Sequence, residues 1–297
     1  METKTGFIYA VLAFLIWGLY PLYWNLLAHI SPNQILVHRM VWAFLMVGAF
    51  VLLTKKGYDF WALLKKLTWK RGGLLLLTAA LLSANWLIYT WAVNNGRILY
   101  ASLGYYINPL VSILMGVIVL KEKLTRYQLI AMIVAGIGVL FLTFSLGALP
   151  WISLALAFSF ATYGLCKKLL KMDPIFSLLL ETALMLPMAF WYFSFGATVD
   201  RSVYSLSNVM EMALLVGGGF ITILPLFFFN KAAQLIPLKY IGFIQYVAPT
   251  LAFLISVFIF NEPFTIAHLI AFSFIWTACL IFISSHLKVK KKALLTD

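Results

Sequence analysis

The chain is 297 residues long, 64% hydrophobic and only 10% charged. A soluble domain carries about 25% charged residues, so an aqueous globular fold is excluded and the lipid bilayer is the solvent that fits. A formal charge of +13 raises the question of a nucleic-acid partner, which the placement of the basic residues answers below.

Apolar runs long enough to span occur at 6–27, 34–53, 72–94, 98–120, 126–145, 149–168, 175–195, 212–234, 239–260 and 265–286. A span takes roughly 20 residues at about 1.5 Å each. The first run continues through Leu27, longer than the apolar core of a signal peptide, so it reads as a retained helix. Between the second and third runs, residues 54–71 place Phe60, Leu63, Leu64 and Leu67 on one helical face with lysines on the other. That pattern suits either a helix lying on an anionic leaflet or a simple anchoring loop. The polar connection at about 196–211, with Asp200, Arg201 and Glu211, reads as a short lid or a linker. Cys166 and Cys279 lie in apolar runs without disulfide or metal-ligand spacing, so neither a metal nor a cofactor is expected.

Orientation follows from Lys and Arg in the connections. With the N-terminus inside, nineteen of the 22 basic residues fall on the cytoplasmic side, the largest groups being 55–71 and 288–292. Only Arg97 and Arg201 lie outside, and Arg39 sits within a span. The basic excess is therefore a topology signal: both termini are expected in the cytoplasm, with no nucleic-acid partner.

The chain matches itself at an offset of 140. Tyr100, Tyr106, Pro109, Leu114, Val117, Glu122 and Thr125 recur as Tyr240, Tyr246, Pro249, Leu254, Val257, Glu262 and Thr265. Gly104, Asn108, Ser112 and Gly116 make a small-residue stripe whose last three members recur as Ala248, Ala252 and Ser256, a pattern that lets helices approach closely in lipid. Five spans separate the copies, and five is odd, so the copies run in opposite directions. The sequence thus predicts an all-α membrane fold of ten helices in two inverted five-helix repeats, 1–145 and 146–297. Inverted repeats are the plan of many secondary transporters, with a site near mid-membrane. Thr125 and Gln128 read as a capping box, and Thr265 as a cap for the last helix. Glu122 and Glu262, just before these caps, read as partners for helix-start N–H groups. Pro109 and Pro249 fall near mid-span, as kinks or as moving hinges.

NWLIYTWAVNNGRILYASLGYYINPL (85–110), ILVHRMVWAF (35–44), YGLCKK (163–168) and GFIQYVAPTLAFL (242–254) closely resemble the RarD-type permeases, in the EamA branch of the drug/metabolite transporter superfamily. The resemblance runs over nearly the whole chain. It implies ten helices in two inverted repeats, a bacterial inner-membrane location, and transport of small metabolites or drugs. Asn25 departs from the Lys that the family often has near the outer end of the first helix, and Lys231 stands where a small or polar residue is expected.

Charges within spans are costly and mark candidate sites. Arg39 is placed to hold an anionic group such as a substrate carboxylate, or to pair internally. His38 points about 100° away from it. Glu181, the one carboxylate well inside a span, and His38 are the candidate proton carriers; the alternative for each is a static structural role. Aromatic and amide side chains gather near mid-membrane: Trp17, Tyr20, Asn85, Trp86, Tyr89, Tyr105, Tyr106, Asn108, Tyr163, Gln245 and Tyr246. With Arg39 they are the candidate substrate-binding set, rings to stack and amides to orient, for an amino acid, an aromatic metabolite or a drug. The sequence carries no H-E-x-x-H, G-x-S-x-G or P-loop motif, so neither an enzyme nor ATP-driven transport is expected. The inverted repeat points to an alternating-access permease; the family resemblance alone implies export, and proton exchange through Glu181 or His38 is the candidate coupling. A channel, or an intramembrane sensor or scaffold without carrier activity, is the alternative.

Overall fold

The computed structural model describes residues 2–145, 150–195, 209–261 and 265–294, side chains at 2 and 285–294 excepted. In these segments the chain is helical: α1 (Glu2–Gly18), α2 (Tyr20–Asn25), α3 (Pro32–Leu53), α4 (Gly57–Lys65), α5 (Trp69–Asn94), α6 (Ile98–Ile118), α7 (Arg126–Ser145), α8 (Trp151–Leu170), α9 (Pro174–Phe195), α10 (Val209–Leu235), α11 (Leu238–Gln245), α12 (Val247–Phe258) and α13 (Ile266–Leu294). Each predicted span has its helix; the first is split into α1 and α2, the ninth into α11 and α12. Among the described residues nine helical segments are long and apolar enough to cross a membrane. The sixth predicted span, α8, falls short of that apolarity because it carries Lys167 and Lys168 in its last turn. It compensates by position: twelve of its 20 residues are buried, against α5, α6 and α10, so it meets protein rather than lipid.

Both splits have a chemical cause. Proline offers no N–H and crowds the preceding turn. Pro21 follows the break at Leu19, and Pro249 follows the one at Tyr246. Pro109 and Pro187, by contrast, are carried inside α6 and α9.

The repeat is visible in the helix bounds. Adding 140 to the first residues of α5, α6 and α7 gives those of α10, α11 and α13. Lys121 and Asn261, also 140 apart, both take left-handed backbone at the ends of α6 and α12 (φ 58° and 53°). The packing repeats as well. α1 lies on α10 as α8 lies on α5, and α6 lies on α8 as α12 lies on α1. α3 and α9, α6 and α11, and α7 and α13 pair across the centre. The copies run in opposite directions. At one face, Gly6 at the start of α1 packs on Leu235 and Ile236, and Glu122 at the end of α6 bonds to the start of α11. At the other face, the start of α8 meets the start of α6, where the Ser153 hydroxyl donates to the Tyr100 carbonyl.

The face that carries the start of α1 gathers the basic connections and is tightly joined. Glu122 accepts from the N–H groups of Leu238 (2.8 Å) and Lys239 (2.9 Å). It therefore partners a helix start, as its position in the sequence suggested, but that of α11 rather than of the adjacent α7; Glu262 lies outside the described residues. Lys168 Nζ donates to the carbonyls of Ala233 (3.1 Å) and Ile236 (2.6 Å), satisfying the end of α10. The amphipathic segment forms α4: Phe60 packs at 5.5 Å on Phe176, and Leu63 and Leu67 reach the cluster of Leu75, Leu170 and Met172. The capping pair is formed, Thr125 N donating to Gln128 Oε1 (3.0 Å) and Gln128 N to Thr125 Oγ1 (3.3 Å). Thr265 Oγ1 likewise accepts from the N–H of His268.

Candidate functional site

The broken helices meet at a cavity of about 490 Å³. Its deep end is formed by Phe14, Leu226 and Gln245, and its lining runs to Ala28 and Ile30 in the α2–α3 connection and Pro32 at the start of α3. It therefore extends toward the face opposite the start of α1. Below it the chain is sealed by a buried cluster that includes Ala10, Phe229, Leu238 and Ile241.

Nine of the candidate substrate-binding residues line this cavity: Trp17, Tyr20, Arg39, Asn85, Trp86, Tyr89, Tyr105, Asn108 and Gln245. They arrive from five of the predicted spans, and helical spacing explains the convergence: Asn85 and Tyr89 are one turn apart on α5, as Tyr105 and Asn108 nearly are on α6. Three candidates lie elsewhere. Tyr106 is adjacent to Tyr105 and so faces away, its ring 5.4 Å from Phe272. Tyr246 is buried in that same cluster behind the wall. Tyr163 stacks on Phe229 at 6.1 Å and turns its hydroxyl toward Asn230 and Glu181. Of the two hinge candidates, Pro249 lines the cavity and Pro109 does not.

Arg39 is the one charged residue among those lining the cavity. Its guanidinium carbon lies 5.0 Å from the ring centre of Trp24 and 4.8 Å from that of Trp86, two cation–π contacts. Nε donates to Thr222 Oγ1 at 3.0 Å, and Thr222 in turn donates to the Gly218 carbonyl at 2.7 Å. Among the described residues no carboxylate pairs with Arg39. The cation is thus held by aromatic faces and one hydroxyl, with its terminal nitrogens uncommitted. Trp24 and Thr222 were not singled out in the sequence. The signals were present: Trp24 lies one turn after Tyr20, and Thr222 is the lone hydroxyl in GGGFITILPLFFF.

The amides differ in their commitments. Asn85 Nδ2 donates to the Leu156 carbonyl and Ser159 Oγ, both at 2.9 Å, which ties α5 to α8. Asn108 Oδ1 accepts from Ser112 at 3.5 Å. Gln245 is buried, and among the described residues neither its Oε1 nor its Nε2 has a hydrogen-bond partner.

The two proton-carrier candidates lie outside the cavity lining. Glu181 is fully buried and ion-paired with Lys167 at 2.8 Å. It also accepts from Thr78 Oγ1 (2.6 Å) and from the Tyr163 hydroxyl (3.4 Å), so the cluster joins α5, α8 and α9. Lys167 donates further to Ser177 Oγ at 2.6 Å. His38 accepts from Trp42 Nε1 (3.3 Å) and packs edge-on to Phe193. It shares α3 with Arg39 and points elsewhere. Lys231 sits with its Nζ 5.9 Å from the Phe227 ring.

A multi-span helical bundle with a polar and aromatic cavity between broken helices defines a membrane-transporter architecture. Residues 4–144 match the EamA-like transporter family. The transporter YojE of Bacillus subtilis (strain 168) is 42% identical over 98% of this chain and 97% of its own. Protein RarD of Streptomyces exfoliatus is 40% identical over 98% of this chain and 92% of its own. One solved crystal structure superposes with a TM-score of 0.73 over 94% of this chain and 97% of that chain, at 16% identity, a likeness of fold alone. The chain belongs to the EamA-like family, as a RarD-type permease of the drug/metabolite transporter superfamily.

Proposed function

We propose that this permease is a secondary carrier for small organic anions with an aromatic or apolar body, moved by alternating access. The observation that carries the reading is the setting of Arg39: a lone cation, held by two indoles and a hydroxyl, in a cavity that extends toward one face only. A guanidinium with free terminal nitrogens suits a carboxylate, which it can take in two parallel bonds. The aromatic walls suit a flat body. The seal beneath the cavity supports a carrier over an open pore. In this reading the repeats 1–145 and 146–297 rock about the site, with Pro109 and Pro249 as hinges. The face that carries the start of α1 is cytoplasmic, so the cavity opens outward, and net flux is export from a bacterial cell across its inner membrane. The coupled proton passes through the Lys167–Glu181 pair, which lies directly behind Tyr163 and the aromatic floor.

Counterflow in proteoliposomes tests the carrier reading. Vesicles preloaded with an unlabelled aromatic carboxylate should accelerate uptake of the labelled compound, with saturation. Linear, non-saturating flux without trans-stimulation would make the protein a channel instead. Replacing Glu181 with Gln tests the coupling, since unchanged dependence on a pH gradient removes that residue from it.

A further inference from the structure

The deep end of the cavity holds a second recognition element, and it restricts what the anion carries at its far end. Gln245 is only 3% exposed and lines the cavity, yet among the described residues both ends of its amide lack a partner. Buried polar side chains are seldom left so. Asn85, also in the cavity lining, differs: that amide spends its N–H groups on α8 and holds the fold together. Gln245 holds nothing. It is the last residue of α11, immediately before the break at Tyr246, and belongs to the cavity lining with its amide enclosed.

The complement of a free amide is set by its chemistry. It offers two N–H donors and one carbonyl acceptor on neighbouring atoms. A second carboxylate would leave the carbonyl unpaired, and an ammonium group would leave the N–H groups unpaired. A carboxamide or lactam edge satisfies both at once. Resting on the anion reading of this site, we propose that Gln245 is a specificity-determining residue, and that the substrate class is an organic anion with a carboxamide or lactam edge remote from its charge.

Separation follows from the helices. Arg39 lies seven residues below the start of α3, and Gln245 seven residues above the start of α11, which begins at the opposite face. At about 1.5 Å per residue each is roughly 10 Å inside a bundle about 30 Å thick, leaving about 10 Å between them along the membrane normal. A rigid biphenyl carrying the two groups at its ends approximates that span.

The test uses the full chain in lipid nanodiscs, with binding read by quenching of tryptophan fluorescence. Three probes are compared: 4′-carbamoylbiphenyl-4-carboxylate, biphenyl-4-carboxylate and neutral biphenyl-4-carboxamide. The carbamoyl acid should bind at least tenfold more tightly than biphenyl-4-carboxylate. That ratio should fall to near one in Gln245→Leu and in Gln245→Met, two variants that keep the volume, while Arg39→Gln weakens both acids and preserves the ratio. A wild-type ratio below threefold overturns the proposal, as does a wild-type ratio retained in whichever of the two Gln245 variants folds. A carboxylate that adds no affinity, with the carboxamide still favoured in a Gln245-dependent way, would sink the anion reading and support the Gln245 subsite.

Discussion

Removing Lys167 should be far more damaging than removing Lys167 and Glu181 together. The pair is completely enclosed, with Lys167 1% and Glu181 0% exposed and their charged atoms 2.8 Å apart. Two opposing terms decide the outcome. The attraction between the charges is strong in a low-dielectric interior, but so is the cost of having taken both out of water. Lys167→Met removes the first and leaves half of the second: Glu181 is stranded with only the neutral donors of Thr78 and Tyr163. Breaking a buried pair in this way costs about 3–5 kcal/mol. Lys167→Met combined with Glu181→Leu deletes both charges and fills a similar volume, so it should return to within about 2 kcal/mol of wild type or exceed it. The residual term is the loss of the bonds to Ser177 and Thr78, each about 1 kcal/mol. The assay is reversible unfolding in mixed micelles followed by tryptophan fluorescence, arranged as a double-mutant cycle. A single substitution costing less than 1 kcal/mol, or a double variant as unstable as the two singles summed, refutes the argument. The same double variant separates structure from coupling: if it folds, transports and still responds to a pH gradient, protons do not travel through this pair.

Arg39→Gln should weaken binding of aromatic carboxylates strongly while leaving the affinity for neutral biphenyl-4-carboxamide unchanged. Arg39→Lys should restore it only in part, because an ammonium lacks the planar fork and stacks poorly between Trp24 and Trp86; fluorescence titration reads both. Glu122→Ala strips two charge-assisted bonds from the start of α11, about 1.5–3 kcal/mol each, and should speed hydrogen exchange at the amides of Leu238 and Lys239 more than at other buried amides. Gly219→Ala puts a methyl 2.6 Å from the Trp42 carbonyl carbon and should cost about 1–3 kcal/mol by forcing α10 from α3, measured as a lower unfolding midpoint.

The helices were legible because each is a long apolar run, and the repeat because Tyr, Pro, Glu and Thr are rare enough in such sequence to be noticed. α8 was harder to grade: its lysines make it less apolar than a lipid-facing span, and only the bundle shows that they are enclosed or turned to backbone carbonyls. The cavity was legible in kind, since amides and rings in spans have few other uses, but not in membership. Tyr105 and Tyr106 are equivalent on paper, and a rotation of about 100° sends one to the cavity and the other to Phe272. Glu181 illustrates the deeper limit. Nothing local in its sequence names Lys167, fourteen residues away on another helix, as the charge that neutralises it.

The asymmetry between the two faces is where the fold and the proposed cycle meet. The repeat makes the faces equivalent in sequence plan: α6 and the α11–α12 segment share bounds, and Lys121 and Asn261 share a left-handed turn. The bundle nevertheless closes one face and not the other. Glu122 on α11, Lys168 on the end of α10 and Gly6 against Ile236 are joints between residues 1–145 and 146–297, or within the second set, all on the sealed side. Among the described residues the opposite side has the exposed His29–Glu211 pair at 3.0 Å, the Asn94–Asn33 bond, and neutral hydroxyl-to-carbonyl bonds from Ser153 to Tyr100 and from Tyr23 to Leu214. Exposed pairs contribute about 0–1 kcal/mol and neutral hydroxyl bonds about 0.5–1.5 kcal/mol each, below the charge-assisted bonds to helix ends at about 1.5–3 kcal/mol each. Two repeats with one plan but unequal joints have a second arrangement of comparable packing within reach, and an alternating-access carrier needs the energies of its two arrangements to be close. Weakening the sealed side alone, through Glu122, should therefore shift the population toward the other opening. Cysteines placed at the buried positions Leu238 and Ile241 would report this as faster labelling by a membrane-impermeant maleimide in Glu122→Gln than in wild type. Unchanged labelling would place the balance between the two arrangements elsewhere than at this joint.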